Sequence, residues 1–230
     1  MEYLEFERIL SAKRIQRYKD AANGDTRKAM ALYRYNLRLS QEMFTIVSCF
    51  EVALRNAIDN LLVPTLGEDW LKDSVQDNGM FSNGRMNETR KIIEKAYNRL
   101  NRQGIYSHSK LIAEMEFGVW KYMYSSLQYR ATGQCLLRAF PNKPRSSAAI
   151  QYNNTYIFNE LDKVNSLRNR IAHHEPICFR LHASEIDTSY IVNEYQKIQT
   201  LFSWMGIDSR SMLYGLDHVQ SVCSKINALK

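Results

Sequence analysis

Two arginines, two histidines and a carboxylate crowd into one short segment, Ser166-Leu167-Arg168-Asn169-Arg170-Ile171-Ala172-His173-His174-Glu175-Pro176. An imidazole, with a reference pKa of about 6.5, exchanges a proton near neutrality, and a guanidinium supplies fixed positive charge with a fork of donors. Together they suit phosphoryl chemistry. On RNA, one histidine can deprotonate a 2′-hydroxyl that attacks the adjacent phosphorus while arginine stabilises the negatively charged transition state without a metal ion. DNA lacks that nucleophile. Spacing decides which groups can act together. On a helix turning about 100° per residue, Asn169 and His173 share a face, as do Arg170 and His174, whereas Arg168 and His173 stand about 140° apart. Either the long Arg168 side chain reaches around, or the helix distorts, or another surface completes the site, and the last option points to a dimer. A helix C-terminus favours protonated histidine, and Glu175 can pair with either histidine or with Arg170. The bland alternative is a cluster that merely caps a helix, since an Arg-x4-His string arises easily by chance in an arginine-rich chain.

A second string of this type, Arg102 to His108, spans Gly104 in an expected inter-helix loop, where no rigid element would hold either side chain, so it reads as a decoy. His182 and His218 stand alone and read as ordinary polar residues. HExxH, GxSxG and P-loop patterns are absent, which removes zincins, elbow-type serine hydrolases and P-loop NTPases. Cys49, Cys135, Cys178 and Cys223 form no CxxC pair and have no ligand-spaced histidines, so neither a zinc site nor a disulfide is expected. No cofactor is called for.

The elements that must position the cluster read as helices. Apolar or small residues at Leu32, Tyr33, Asn36, Ser40, Met43, Phe44, Val47, Phe50, Leu54, Ile58 and Leu61 step by three and four, predicting one long helix over 25–64, capped by Asp25 or Thr26 and stopped by Pro64. Phe6 to Tyr18 predicts a shorter helix within the N-terminal segment 1–24, with Lys13, Arg14, Arg17 and Lys19 outward. Residues 65–145 read as a helical insert: a loop over 65–84 anchored by Trp70 and Leu71, then a helix from Met86 to Leu100 with a basic side of Lys91, Lys95, Arg99 and Arg102. The aromatic stretch through Trp120, Tyr122, Tyr124 and Tyr129 reads as core packing, with base stacking the competing use. Over 146–230, helices are expected at Ile150 to Ile171, ended by Pro176, at Thr188 to Met205, closed by Gly206, and at Arg210 to Leu229. No repeat or linker divides the chain, so 1–230 reads as one all-α domain.

Composition agrees. With 45% hydrophobic and 24% charged residues the 230-residue chain can bury a sizeable core, and 4 prolines with 9 glycines argue against collagen, linker or β-sandwich classes. No apolar run approaches the roughly 20 residues of a membrane span, and the acidic N-terminus carries no leader pattern, so a cytoplasmic protein is expected. A net charge of +7 favours polyanionic partners. Lys13, Arg14, Arg17, Arg34, Lys91, Lys95 and Arg99 are the candidate RNA contacts.

The stretch Leu167 to Ile177 resembles the signature of the Abi-like family of abortive-infection proteins, within the HEPN superfamily. Three other blocks resemble the same family in the same order: Leu32-Tyr33-Arg34-Tyr35-Asn36, Phe50-Glu51-Val52-Ala53-Leu54-Arg55-Asn56-Ala57-Ile58, and Phe117-Gly118-Val119-Trp120 followed by Arg138-Ala139-Phe140-Pro141. Tyr35 stands where the family more usually carries Trp. The resemblance implies an all-α, HEPN-like helical bundle with additional helices, and a metal-independent endoribonuclease whose motif is matched by Arg168, Asn169 and His173. In that reading Arg168 clamps the phosphate, His173 transfers the proton, Asn169 orients either, and Arg170, His174 and Glu175 form the supporting shell. Because such motifs work in pairs and only one good copy is present, a homodimer is implied. A small structured RNA acting as an antitoxin is the implied partner. The alternative is a catalytically silent module that grips structured RNA through the same basic cluster.

Overall fold

Apolar side chains recurring every three or four residues dictate helix along most of the chain. The computed structural model describes residues 1–230 and contains twelve α-helices, two 3₁₀ helices and no strand. The all-α class is therefore as expected, and an isolated antiparallel bridge between Phe179 and Ile186 is the only β-pairing. The first helices are α1 (Tyr3–Leu10), α2 (Ala12–Ala21) and the 41-residue α3 (Thr26–Leu66). Short helices follow: α4 (Trp70–Asp73), α5 (Asn87–Arg102), α6 (His108–Glu114), α7 (Phe117–Tyr122) and α8 (Ser126–Ala131). The chain ends with α9 (Asn154–Ala172), α10 (Ser189–Trp204), α11 (Ser209–Met212) and α12 (Val219–Asn227).

Contacts divide the chain into two compact units. The first comprises Met1–Ser48, Ser166–Thr200 and Asp208–Lys230; the second comprises Cys49–Asn165 and Leu201–Ile207. In the first unit a chain of edge-to-face rings ties distant segments: Phe6 to Tyr33 at 5.4 Å, Tyr33 to Tyr18 at 5.1 Å, and Tyr18 to Phe179 at 5.1 Å. Each such pair contributes ~0.5–1.5 kcal/mol beyond simple burial. Burial pushes the Tyr18 phenol well above its ordinary pKa, so it stays neutral. In the second unit Phe50, Leu54, Ile58 and Leu62 bury one stripe of α3, with Phe50 against Phe117 and Phe202 at 6.3 and 5.3 Å. Trp70 and Leu71 are the buried anchors their composition suggested, and Trp70 Nε1 donates to Asp59 Oδ1 at 2.7 Å. Gly79 is required where it is, because a Cβ there would collide with the backbone carbonyls of Asp73 and Ser74.

Three boundaries differ from the periodicity. The N-terminal segment is two helices, not one: Ser11 at φ +72 breaks the chain between α1 and α2, and its Oγ accepts the Arg14 N–H at 3.4 Å as an N-cap. Pro64 does not stop α3. A proline this near the end forfeits one hydrogen bond without preventing another turn, and the helix ends instead at Gly67, φ +90, whose N–H reaches Val63 O at 2.9 Å. The last expected helix is also split, because Gly215 at φ +74 separates α11 from α12. Asp217 then accepts the Val219 N–H at 3.3 Å, and the buried Glu42 carboxylate accepts the His218 N–H at 3.1 Å, so α12 has its own N-terminal acceptors.

Candidate functional site

Helix α9 is anchored by Ile157, Leu161, Val164, Leu167 and Ile171, all buried, and that periodicity leaves Asn169 exposed and Arg168 half-buried at its C-terminal end. The end is locked by a Schellman arrangement. His173 N–H bonds Asn169 O, His174 N–H bonds Ile171 O, and Glu175 N–H bonds Arg170 O, each at 2.9 Å. His174 holds the left-handed position at φ +56, where glycine is the usual occupant, and Pro176 follows. The proline is therefore the second stop; the first is at His173-His174.

Side chains from elsewhere in the first unit fix the segment beyond. Asn36 Oδ1, buried on α3, accepts both the Ile177 and Cys178 amides at 2.8 and 3.2 Å. Arg14 Nη1 donates to His174 O at 3.1 Å. Arg170 donates Nε to Glu175 Oε2 at 3.2 Å and Nη2 to Pro176 O at 3.0 Å, and its guanidinium lies 5.0 Å from the Tyr190 ring centroid. Of the pairings open to Glu175, the one formed is with Arg170. Farther along, Arg17 donates to Ala183 O at 3.1 Å and to Arg180 O at 2.9 Å while covering the Phe179 ring at 4.7 Å, so it straps the loop that follows.

What remains presented is small and specific. The His173 imidazole is exposed with no partner in the chain, Asn169 is exposed, and Arg168 makes one long hydrogen bond, Nη1 to Asn169 Oδ1 at 3.5 Å. The helix stays regular through Ala172, and no hydrogen bond joins Arg168 to His173. An exposed imidazole can exchange protons with a ligand, a guanidinium on the same helix end can hold an anion, and the Asn169 amide can orient either.

A family model described as Abi-like protein matches residues 3–178, which is about three quarters of the chain. The chain belongs to the Abi-like family. That assignment associates it with abortive-infection defence. No curated protein and no solved structure matches it. The matched span of this Abi-like protein includes Arg168, Asn169 and His173 and ends at Cys178, whose amide Asn36 holds.

The basic residues singled out in the sequence fall into different circumstances. Lys13 is exposed and unpaired, and Arg34 is exposed with its guanidinium 5.5 Å from the Phe6 ring centroid. Arg14 and Arg17 are committed to backbone carbonyls, which a reading of outward helix faces does not foresee. In the second unit Lys91 reaches Glu88 at 3.4 Å and Arg99 forms an ion pair with Glu114. Lys95 and Arg99 line a cleft of about 660 Å³ together with Arg85, Arg102, Ile92 and Met115. His108, the decoy, opens α6 and donates its Nε2–H to Asp59 Oδ1 at 2.7 Å, a contact that ties it to the Trp70 anchor. The four cysteines are free, and burial pushes the Cys178 thiol up to about 12. No group of three or more His, Cys, Asp or Glu side chains is placed to hold a metal ion, and no helix is long and apolar enough to cross a membrane. Asn36 and Tyr190 are the supporting residues that motif reading missed. Asn36 carried a signal: a polar side chain on the buried stripe of α3 requires partners.

Proposed function

We propose that this Abi-like protein is a metal-independent endoribonuclease of an abortive-infection defence system, acting on single-stranded RNA under the control of a small structured RNA. The observation that carries the reading is the exposed, unpartnered His173 imidazole one turn beyond Asn169, at the helix end that also carries Arg168 and whose backbone is fixed from four sides. A reactive group must be free while its scaffold is not, and this cluster has that division. His173 as base removes the 2′-hydroxyl proton, and the 2′-oxygen forms a bond to phosphorus. The bond from phosphorus to the 5′-oxygen breaks, and that oxygen takes a proton from the His173 imidazolium of a second copy. The products are a 2′,3′-cyclic phosphate and a 5′-hydroxyl. Arg168 neutralises charge accumulating on the non-bridging oxygens, and Asn169 orients the phosphate. Arg170 and Glu175 hold the helix end.

The test is cleavage of labelled single-stranded RNA in EDTA, with end-group analysis. The unaltered chain gives cyclic-phosphate ends, and His173→Ala slows cutting by about 100-fold or more with an unchanged far-UV spectrum. Cleavage at the original rate by His173→Ala removes the assignment. A gel shift with no new ends from the unaltered chain makes the protein a silent RNA binder.

A further inference from the structure

Of the aromatic residues that the sequence offered for base stacking, Tyr124 is fully buried and Tyr129 is 9% exposed, while Tyr122 is 48% exposed and pairs with a single ring, Phe158, at 5.7 Å. A larger cluster lies elsewhere. Within the second unit, Tyr152, Tyr156 and Trp204 are all half-buried and stand together. Their ring centroids lie 4.8 Å apart for Tyr152 and Tyr156, 5.6 Å for Tyr152 and Trp204, and 6.0 Å for Tyr156 and Trp204. They come from the segment before α9, its first turn, and the last residue of α10. Rings used only as filler would be covered on all sides, as Trp70 and Trp120 are; these three keep part of their surface in water.

Free cations lie on the segment tied to the cluster. Asn142 donates its backbone N–H to Trp204 O at 2.9 Å and its side chain to Ser203 O at 3.3 Å, which brings the chain at Lys143 alongside Trp204. Ser146 Oγ accepts the Tyr152 N–H at 3.0 Å, which brings the chain at Arg145 near Tyr152. Neither Lys143 nor Arg145 has a carboxylate partner. The one acid that bears on Tyr156, Glu160, is neutralised by Lys163 at 2.5 Å. The exposed amides of Gln151 and Asn153 lie in the same segment.

We propose that Tyr152, Tyr156 and Trp204 form a stacking platform for the unpaired bases of single-stranded nucleic acid, with Lys143 and Arg145 meeting its phosphates. The choice of RNA as the natural ligand rests on the nuclease reading above. The platform is sequence-tolerant, because every base has a π-face, and adjacent cations supply the salt-sensitive part of the affinity. It gives the substrate a second hold on this chain, separate from Arg168 and His173.

Tryptophan fluorescence tests it directly. Trp70 and Trp120 are 1% and 0% exposed, so a change in emission caused by a stacking ligand reports Trp204. The probe is a twelve-base oligodeoxyuridylate, which has no 2′-hydroxyl and cannot be cut. Saturable quenching is expected, weakened about tenfold or more by Tyr152→Ala and by Tyr156→Ala with far-UV spectra unchanged. Lys143→Ala with Arg145→Ala should reduce the slope of log affinity against log salt by roughly 1 to 1.5. No quenching by the oligonucleotide, quenching unaffected by Tyr152→Ala, or quenching by a proline-rich peptide of equal length in its place overturns the platform. Because the probe reports binding without cleavage, His173-dependent RNA cutting with no quenching sinks the platform alone, and quenching with no cutting sinks the nuclease alone.

Discussion

His173 and His174 are neighbours in the chain and opposites in the structure. His173 extends the helical hydrogen bonding and leaves its imidazole free, while His174 turns the chain with φ +56 and contributes its carbonyl to Arg14. A left-handed backbone costs a non-glycine residue ~1–2 kcal/mol, part of which glycine would give back as extra freedom in the unfolded chain. His174→Gly should therefore raise stability by about 0.5–1 kcal/mol, read as a higher denaturant midpoint at unchanged slope. Its cutting rate separates backbone from side chain: with only the turn required, activity persists, and a loss as deep as that of His173→Ala would show that the second imidazole also meets substrate. Arg170 illustrates the same division. A guanidinium bonded to Glu175 and Pro176 and set against Tyr190 positions the helix end and is not available to an RNA phosphate.

The elements that carry these residues were legible where periodicity is unbroken and illegible where a local turn overrides it. The stripe through Leu161, Val164, Leu167 and Ile171 gave α9 to within a few residues of its true bounds, because an apolar face of that spacing can bury itself only as a helix. The break at Ser11 carried no glycine or proline to announce it, and Gly215 was present but outweighed by flanking helix formers. Asn36 shows how one element supports another. Its side-chain oxygen is the acceptor for two buried amides beyond the motif, so Asn36→Leu strands both donors at a cost of about 2–4 kcal/mol. Amide hydrogen exchange at Ile177 and Cys178 checks this: both should lose protection in the variant, and protection retained at unaltered levels would mean that the loop is held by other contacts. The stacking rings of Tyr152, Tyr156 and Trp204 were beyond the sequence for a different reason, since segments some 50 residues apart had to meet before the cluster existed.

At the scale of the whole molecule the family was legible because its blocks are ordered along most of the chain, and the match over residues 3–178 spans all four. What the chain alone does not join is the motif itself: it carries one copy, with Arg168 and His173 not hydrogen-bonded to each other. Scission by the proposed route needs one group to take a proton and another to give one. The two-fold dimer that the proposal requires would supply both from identical motifs, one neutral and one protonated, around a single bond. The consequence is quantitative. When unaltered chains are mixed with an equal amount of His173→Ala chains under conditions that allow subunit exchange, about one quarter of the dimers keep two imidazoles, so activity per unaltered chain falls to about half. Total activity against variant fraction then follows a square law when total protein is held constant. A straight line, with each unaltered chain keeping its full rate, would place the whole reaction within one chain and remove the shared site.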